Sequence, residues 1–93
     1  MEGSAKQKVP GGKLLIIKLW YSQKIERIQI LGDFFAYPES AIENIENALS
    51  GISKDSSEEE IVERIMQIVK RDNVEMIGIT PESIAQTIKI VTK

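Results

Sequence analysis

Apolar residues recur along this chain with two periods, one of two residues and one of three to four. From Lys13 to Ser22 the alternation is that of a strand: Leu15, Ile17, Leu19 and Tyr21 share one face, and Leu14, Ile16 and Trp20 share the other with Lys18 among them. Both faces are largely apolar, so this strand is expected to be buried or to lie beside a partner. Ile25 to Leu31 alternates more cleanly, with Ile28 and Ile30 opposite Arg27 and Gln29. It reads as a half-buried strand, paired as a hairpin with the first through a reversal at Gln23 and Lys24. That turn lacks an Asn-Gly pair, so the sequence leaves the register open.

The longer period takes over beyond residue 38. Pro38 suits a first helical position, and Ala41, Ile42, Ile45, Ala48 and Leu49 form one stripe of the helix it would begin, with Glu43, Asn44, Glu46 and Asn47 outside. Gly51 is a natural stop. Ser57 and Glu60 make a capping box for a helix over about Glu58 to Arg71, with glutamates in its first turn and Lys70 and Arg71 in its last. Ile61, Val62, Ile65, Ile68 and Val69 are its apolar stripe. Val74 to Ile79 is a third strand or a buried loop, Gly78 weighing against the strand. Thr80-Pro81 then caps a last helix whose inner face holds Ile84, Ala85, Ile88 and Val91. Residues 1–8 are expected to be a flexible leader and residues 9–93 a single domain. The expected fold is α+β: a small two-layer sandwich, an antiparallel sheet of two or three strands with three helices packed on it.

Composition narrows the chemistry. Ninety-three residues give one modest core. Twelve basic and fourteen acidic side chains give a net charge of −2, and the basic ones are dispersed, which argues against a dedicated nucleic-acid binder. The chain has neither cysteine nor histidine. That excludes disulfides, thiolate metal sites and a Cys nucleophile, and it removes the commonest metal ligand and general base. Met1 to Lys8 has no apolar segment of the secretory kind, and Leu14 to Ile17 is too short to span a membrane. A cytoplasmic location is expected.

Three local features stand out. In Lys8-Val9-Pro10-Gly11-Gly12-Lys13-Leu14, glycines beside lysines can cradle a phosphate through backbone N–H groups, although here they feed a strand and also read as a simple turn. In Gly32-Asp33-Phe34-Phe35, Asp33 can stabilise a turn, and two adjacent aromatics cannot both point inward from an extended segment. Either a bend brings both into the core or one is left exposed as an anchor for a partner. Trp20 and Tyr21 point to opposite faces. The run Glu58-Glu59-Glu60 is read as a solvated first helical turn, since it completes a cap. No Ser–His–Asp set and no paired carboxylates are present, so the residues point to a non-catalytic domain.

The order of these motifs carries a resemblance. Lys8-Val9-Pro10-Gly11-Gly12-Lys13-Leu14 opens a strand; a hairpin later comes Gly32-Asp33-Phe34-Phe35, then Pro38-Glu39 and a helix closing at Leu49-Ser50-Gly51. The chain from about Lys8 to Val91 resembles the C-terminal accessory domain of lipoate–protein ligases, and Glu75-Met76-Ile77-Gly78-Ile79-Thr80-Pro81-Glu82 is similar to that family's segment before its last helix. The resemblance implies a small α+β sandwich similar to iron–sulfur scaffold-type domains. In some ligases this domain is a separate polypeptide, and this chain, with nothing before Met1, would be of that kind.

By the same resemblance, a catalytic subunit would hold ATP and lipoate, form lipoyl-adenylate and transfer the acyl group to a carrier lysine. The accessory chain would be needed chiefly for adenylation. The expected partner is that catalytic subunit, in a heterodimer, with lipoyl carrier domains reached indirectly; no nucleic acid and no membrane are expected. The complex would use ATP, Mg and lipoate, none of them bound by this chain alone. The residues carried over as candidate contacts are Lys8, Gly11, Gly12, Lys13, Gly32, Asp33, Phe34 and Phe35, with no catalytic and no metal-binding residue. Two other readings compete: a stand-alone domain binding a nucleotide phosphate at Gly11-Gly12-Lys13, and an adaptor that recruits carrier proteins.

Overall fold

The computed structural model describes residues 1–9, 11 and 13–93. Its spine is the strand β2 (Lys13–Tyr21), flanked by β1 (Glu2–Val9) and β3 (Ile25–Gly32) in an antiparallel sheet of order β1-β2-β3. Leu15, Ile17 and Leu19 are fully buried under the helices, together with Ile28 and Ile30 of β3. The hairpin pairs Leu15 with Gly32 and Ile17 with Ile30, and a bulge at Trp20–Tyr21 shifts the register near its turn.

Residues 1–8 are not a leader. Glu2–Val9 is a strand paired along its whole length with β2, from Glu2 opposite Trp20 to Val9 opposite Lys13. The alternation was hard to read because the residues facing the helices are Gly3, Ala5 and Gln7, which are small or polar. The close approach of the helix α3 (Pro81–Thr92) explains them. A Cβ on Gly3 would lie 2.7 Å from Val91 Cγ1. The Thr87 hydroxyl lies 2.6 Å from Gln7 Oε1 and 2.8 Å from the Ser83 carbonyl oxygen, so this buried polar pair is satisfied.

Two short strands, β4 (Phe35–Tyr37) and β5 (Glu75–Ile77), form a separate antiparallel ribbon. Within the segment 74–79, Glu75–Ile77 is therefore a strand, but of the ribbon and not of the main sheet. The helix α1 (Ala41–Leu49) begins three residues after Pro38, with Ser40 as its N-cap, and the Ala41 N–H donates to the Pro38 carbonyl at 2.9 Å. The expectation of a helix starting at Pro38 fails because Phe35–Tyr37 are held extended against β5, and Pro38 closes the turn between strand and helix. The helix α2 (Glu58–Asp72) carries both bonds of the Ser57–Glu60 capping box and ends at Asn73 in the left-handed conformation. Thr80 and Ser83 box the start of α3 in the same way.

Helix α1 packs on β3, and α3 packs on β1 and β2; α2 lies against both helices. All three lie on one side of the three-stranded sheet, so the fold is α+β with one closed sheet face and one open face. The two edges of the sheet differ. The β3 edge is covered: the Ile25 N–H donates to the Ile52 carbonyl at 2.8 Å, and the Ile30 N–H donates to Glu46 Oε2 of α1 at 2.8 Å. No helix among the described residues is long and apolar enough to cross a membrane.

Candidate functional site

Beyond the end of the β2–β3 hairpin, the chain turns sharply into the ribbon, and Gly32 makes that turn possible. It has φ +145°, and a Cβ there would lie 2.1 Å from the Leu14 carbonyl oxygen, so no side chain fits. The next residue is tied down through its backbone: the Asp33 N–H donates to that same Leu14 carbonyl at 3.0 Å. Gly78, with φ +92°, clears space from the other side. A Cβ on it would stand 3.1 Å from the Asp33 carbonyl oxygen and 3.2 Å from Lys13 Cγ.

The result is a shallow cavity of about 460 Å³ bounded by Lys13, Gly32, Asp33, Phe34, Phe35 and Ile77. The adjacent aromatics part here. Phe34 packs half-buried against the core, while Phe35 is 59% exposed. Phe35 stands directly opposite Ile77, itself 63% exposed, and Tyr37 follows two residues on, 60% exposed on the same face of the ribbon. Met76, on the other face, packs against the core and anchors the ribbon. Three large exposed apolar side chains on six residues of strand are a concentrated patch, whereas exposed apolar residues are otherwise normally scattered. A lysine stands at its margin, and the arrangement suits contact with an apolar partner surface.

Of the residues singled out from sequence, the fold gathers Lys13, Gly32, Asp33, Phe34 and Phe35 into this one place. It does not bring Lys8 there. Lys8 pairs with Leu14 in β1 and projects from the open face of the sheet, exposed. Gly11, with φ +101°, occupies the β1–β2 turn and does not line the cavity. Gly12, like Pro10, lies outside the described residues. Tyr37 and Ile77 were missed from sequence. Tyr37 could have been found, since it sits two residues from Phe35 in an extended stretch, but Ile77 joins them only through a pairing 42 residues away in the chain, Phe35 with Ile77.

Two further clusters are electrostatic. Burial holds the Glu46 carboxyl above its usual range; its bond from the Ile30 N–H opposes this, nearby Glu43 adds to it, and Arg27 relieves it. Arg71 bonds Asp72 through Nε at 2.9 Å and so holds that carboxyl below its usual range, while the Asn44 amide donates to it at 3.1 Å and ties α1 to α2. Both serve packing. Among the described residues no group of three or more acidic side chains gathers to hold a metal ion.

Comparison with known proteins gives two positive findings. The family described as bacterial lipoate protein ligase C-terminus matches residues 2–88. In the archaeal lipoylation system of Thermoplasma acidophilum, solved as a bi-partite lipoate protein ligase and its E2 lipoyl domain, one chain is similar to this one at 30% identity with a TM-score of 0.77. The match covers 95% of this chain and 94% of that one, so the two are of nearly equal length. No curated protein matches.

Proposed function

This chain belongs to the lipoate–protein ligase C-terminal family, and from that membership we propose that it is the non-catalytic subunit of a two-component ligase, docking on the catalytic subunit to enable ATP-dependent adenylation of lipoate. Its role is accessory to lipoylation. The observation that carries the docking reading is the exposed face of Phe35, Tyr37 and Ile77 beside the Lys13 cavity. Aromatic side chains held rigidly on a ribbon, with their backbones fixed by Gly32 and Met76, are suited to anchor an interface because little conformational freedom is lost on contact.

The physical role follows from the demands of the reaction. Adenylation requires a carboxylate and a nucleotide phosphate to be held in line while charge develops at phosphorus. ATP, Mg and lipoate are held by the catalytic subunit, and this chain holds none of them. It supplies a rigid wall, which seats against the mouth of that subunit's site, excludes water and orders neighbouring loops. Lys13, at the margin of the patch, adds positive potential on the side where the phosphates lie.

The test is lipoate-dependent ATP–pyrophosphate exchange by the catalytic subunit from the same source, with and without this chain. Exchange is expected only when the chain is added. Exchange that is equally fast without it would overturn the accessory role.

A further inference from the structure

The open face of the three-stranded sheet has no place in the docking just described. It carries Lys6 and Lys8 from β1, Lys18 from β2 and Arg27 from β3, all exposed, against two carboxylates, Glu2 and, in the bulge beside Arg27, Glu26. Four of the chain's twelve basic side chains thus share this face with two of its fourteen acidic ones, although the whole chain has a net charge of −2. Ile16 and Leu31, directly paired, form an apolar strip between the charges, and Leu31 is 43% exposed. At one end of the face Arg27 lies over the Trp20 ring at 4.9 Å, and Trp20 Nε1 donates to Glu2 at 3.1 Å. These side chains, with Lys18 and Ser4, rim a shallow hollow of about 400 Å³.

We propose that this face is a second docking surface, and that its occupant is the lipoyl acceptor domain, presenting an acidic patch whose carboxylates enter the hollow between Lys18 and Arg27. The proposal rests on the accessory-subunit reading and adds a second contact to it. The two surfaces differ in chemistry as two such partners would. A subunit that stays bound is held best by an apolar contact such as the Phe35–Ile77 face. An acceptor that must arrive and leave in every cycle is better served by a charged face, which speeds encounter without slowing release. The apolar strip of Ile16 and Leu31 favours a protein surface over nucleic acid, whose phosphates would not meet it well.

The experiment uses the complete two-component ligase with purified acceptor domain. Lys6→Glu together with Lys18→Glu reverses two exposed charges on the face; Lys70→Glu on α2 makes a like change elsewhere. For the double variant the KM for acceptor is expected to rise at least tenfold, with the rise shrinking at high salt, while ATP–pyrophosphate exchange stays at the wild-type rate. Lys70→Glu should change KM by less than twofold. Thermal unfolding at the wild-type midpoint establishes that the double variant is folded. An unchanged KM overturns the proposal, as does a fall in exchange alongside KM, which would give the face to the catalytic subunit. Loss of RNA binding by the double variant with KM unchanged would give it to nucleic acid. Failure of the accessory reading itself is visible earlier, as wild-type exchange that does not need this chain.

Discussion

The three-stranded sheet and the two-stranded ribbon use their side chains in opposite ways. In β2 Leu15, Ile17 and Leu19 alternate as large aliphatic groups with no accessible surface, and the hydrogen bonds of both its edges go to neighbouring strands. In β4 and β5 only the central residue of each strand, Ala36 or Met76, turns towards the body of the protein, and the flanking residues face solvent. A ribbon of three-residue strands has little stability of its own and depends on the structure beneath it. The sheet supplies much of the core, and the ribbon presents an apolar patch to solvent. Large hydrophobic residues concentrated on an exposed ribbon are suited to contact with a partner.

That contrast can be broken by substitution, beginning with the sheet. Ile17→Ala at its centre should cost about 2–5 kcal/mol in urea or thermal unfolding, since it leaves a cavity among fully buried neighbours. Set against a total of roughly 5–15 kcal/mol for a domain, that is a large fraction. Gly32→Ala strikes the joint between the two regions. The positive φ alone costs about 1–3 kcal/mol, and the contact with the Leu14 carbonyl adds to it. The ribbon is expected to detach from its position, which amide exchange at Phe35–Tyr37 and Glu75–Ile77 would report as lost protection.

Phe35→Ala should separate the two functions. Unfolding free energy is expected to change by no more than about 0.5 kcal/mol, as for other exposed positions, while affinity for the catalytic subunit falls by about 2 kcal/mol. A titration of the catalytic subunit that shows no loss would remove the anchor. The smallest effect concerns the guarded edge of the sheet. Because folding raises the Glu46 pKa, the charged carboxylate works against the folded state. No penalty exists well below its ordinary value of 4.5, where both states are protonated, and the penalty grows as pH rises through that value and past the raised one. Glu46→Gln keeps an acceptor for the Ile30 N–H and loses the charge. Its stability relative to wild type should therefore increase between pH 4 and pH 7, by well under 1 kcal/mol given solvent screening at this half-exposed site.

What the sequence disclosed and what it concealed follow from where each signal resides. The β2–β3 hairpin faces, the capping box of α2, the Thr80 cap of α3 and the apolar stripes were legible because they depend on residues within one or two turns of each other. The strand β1 was not, since α3 lies so close that its inward positions must be small or polar, and hydrophobic alternation disappears. Pro38 misled because its local preference for a helix start was outweighed by pairing of Phe35–Tyr37 with a segment far along the chain. At the site, strand geometry left two outcomes for the adjacent phenylalanines, both in the core or one exposed, and the second holds. Which one, and the presence of Ile77 opposite it, required the ribbon, and the distant placement of Lys8 followed from β1 being a strand.

The packing of β1 on α3 also bears on how the molecule is made. Gln7 and Thr87 meet across 80 residues of sequence, so the first strand leaves the ribosome long before the helix that covers it exists. Until α3 is synthesised, β2 and β3 can pair but the inner surface of β1 has nothing to rest on. The inner face of β1 is therefore closed only once α3 has been made. The covering of residues 2–8 thus rests on a contact distant in sequence, of the kind whose loop-closure cost must be met before it stabilises anything.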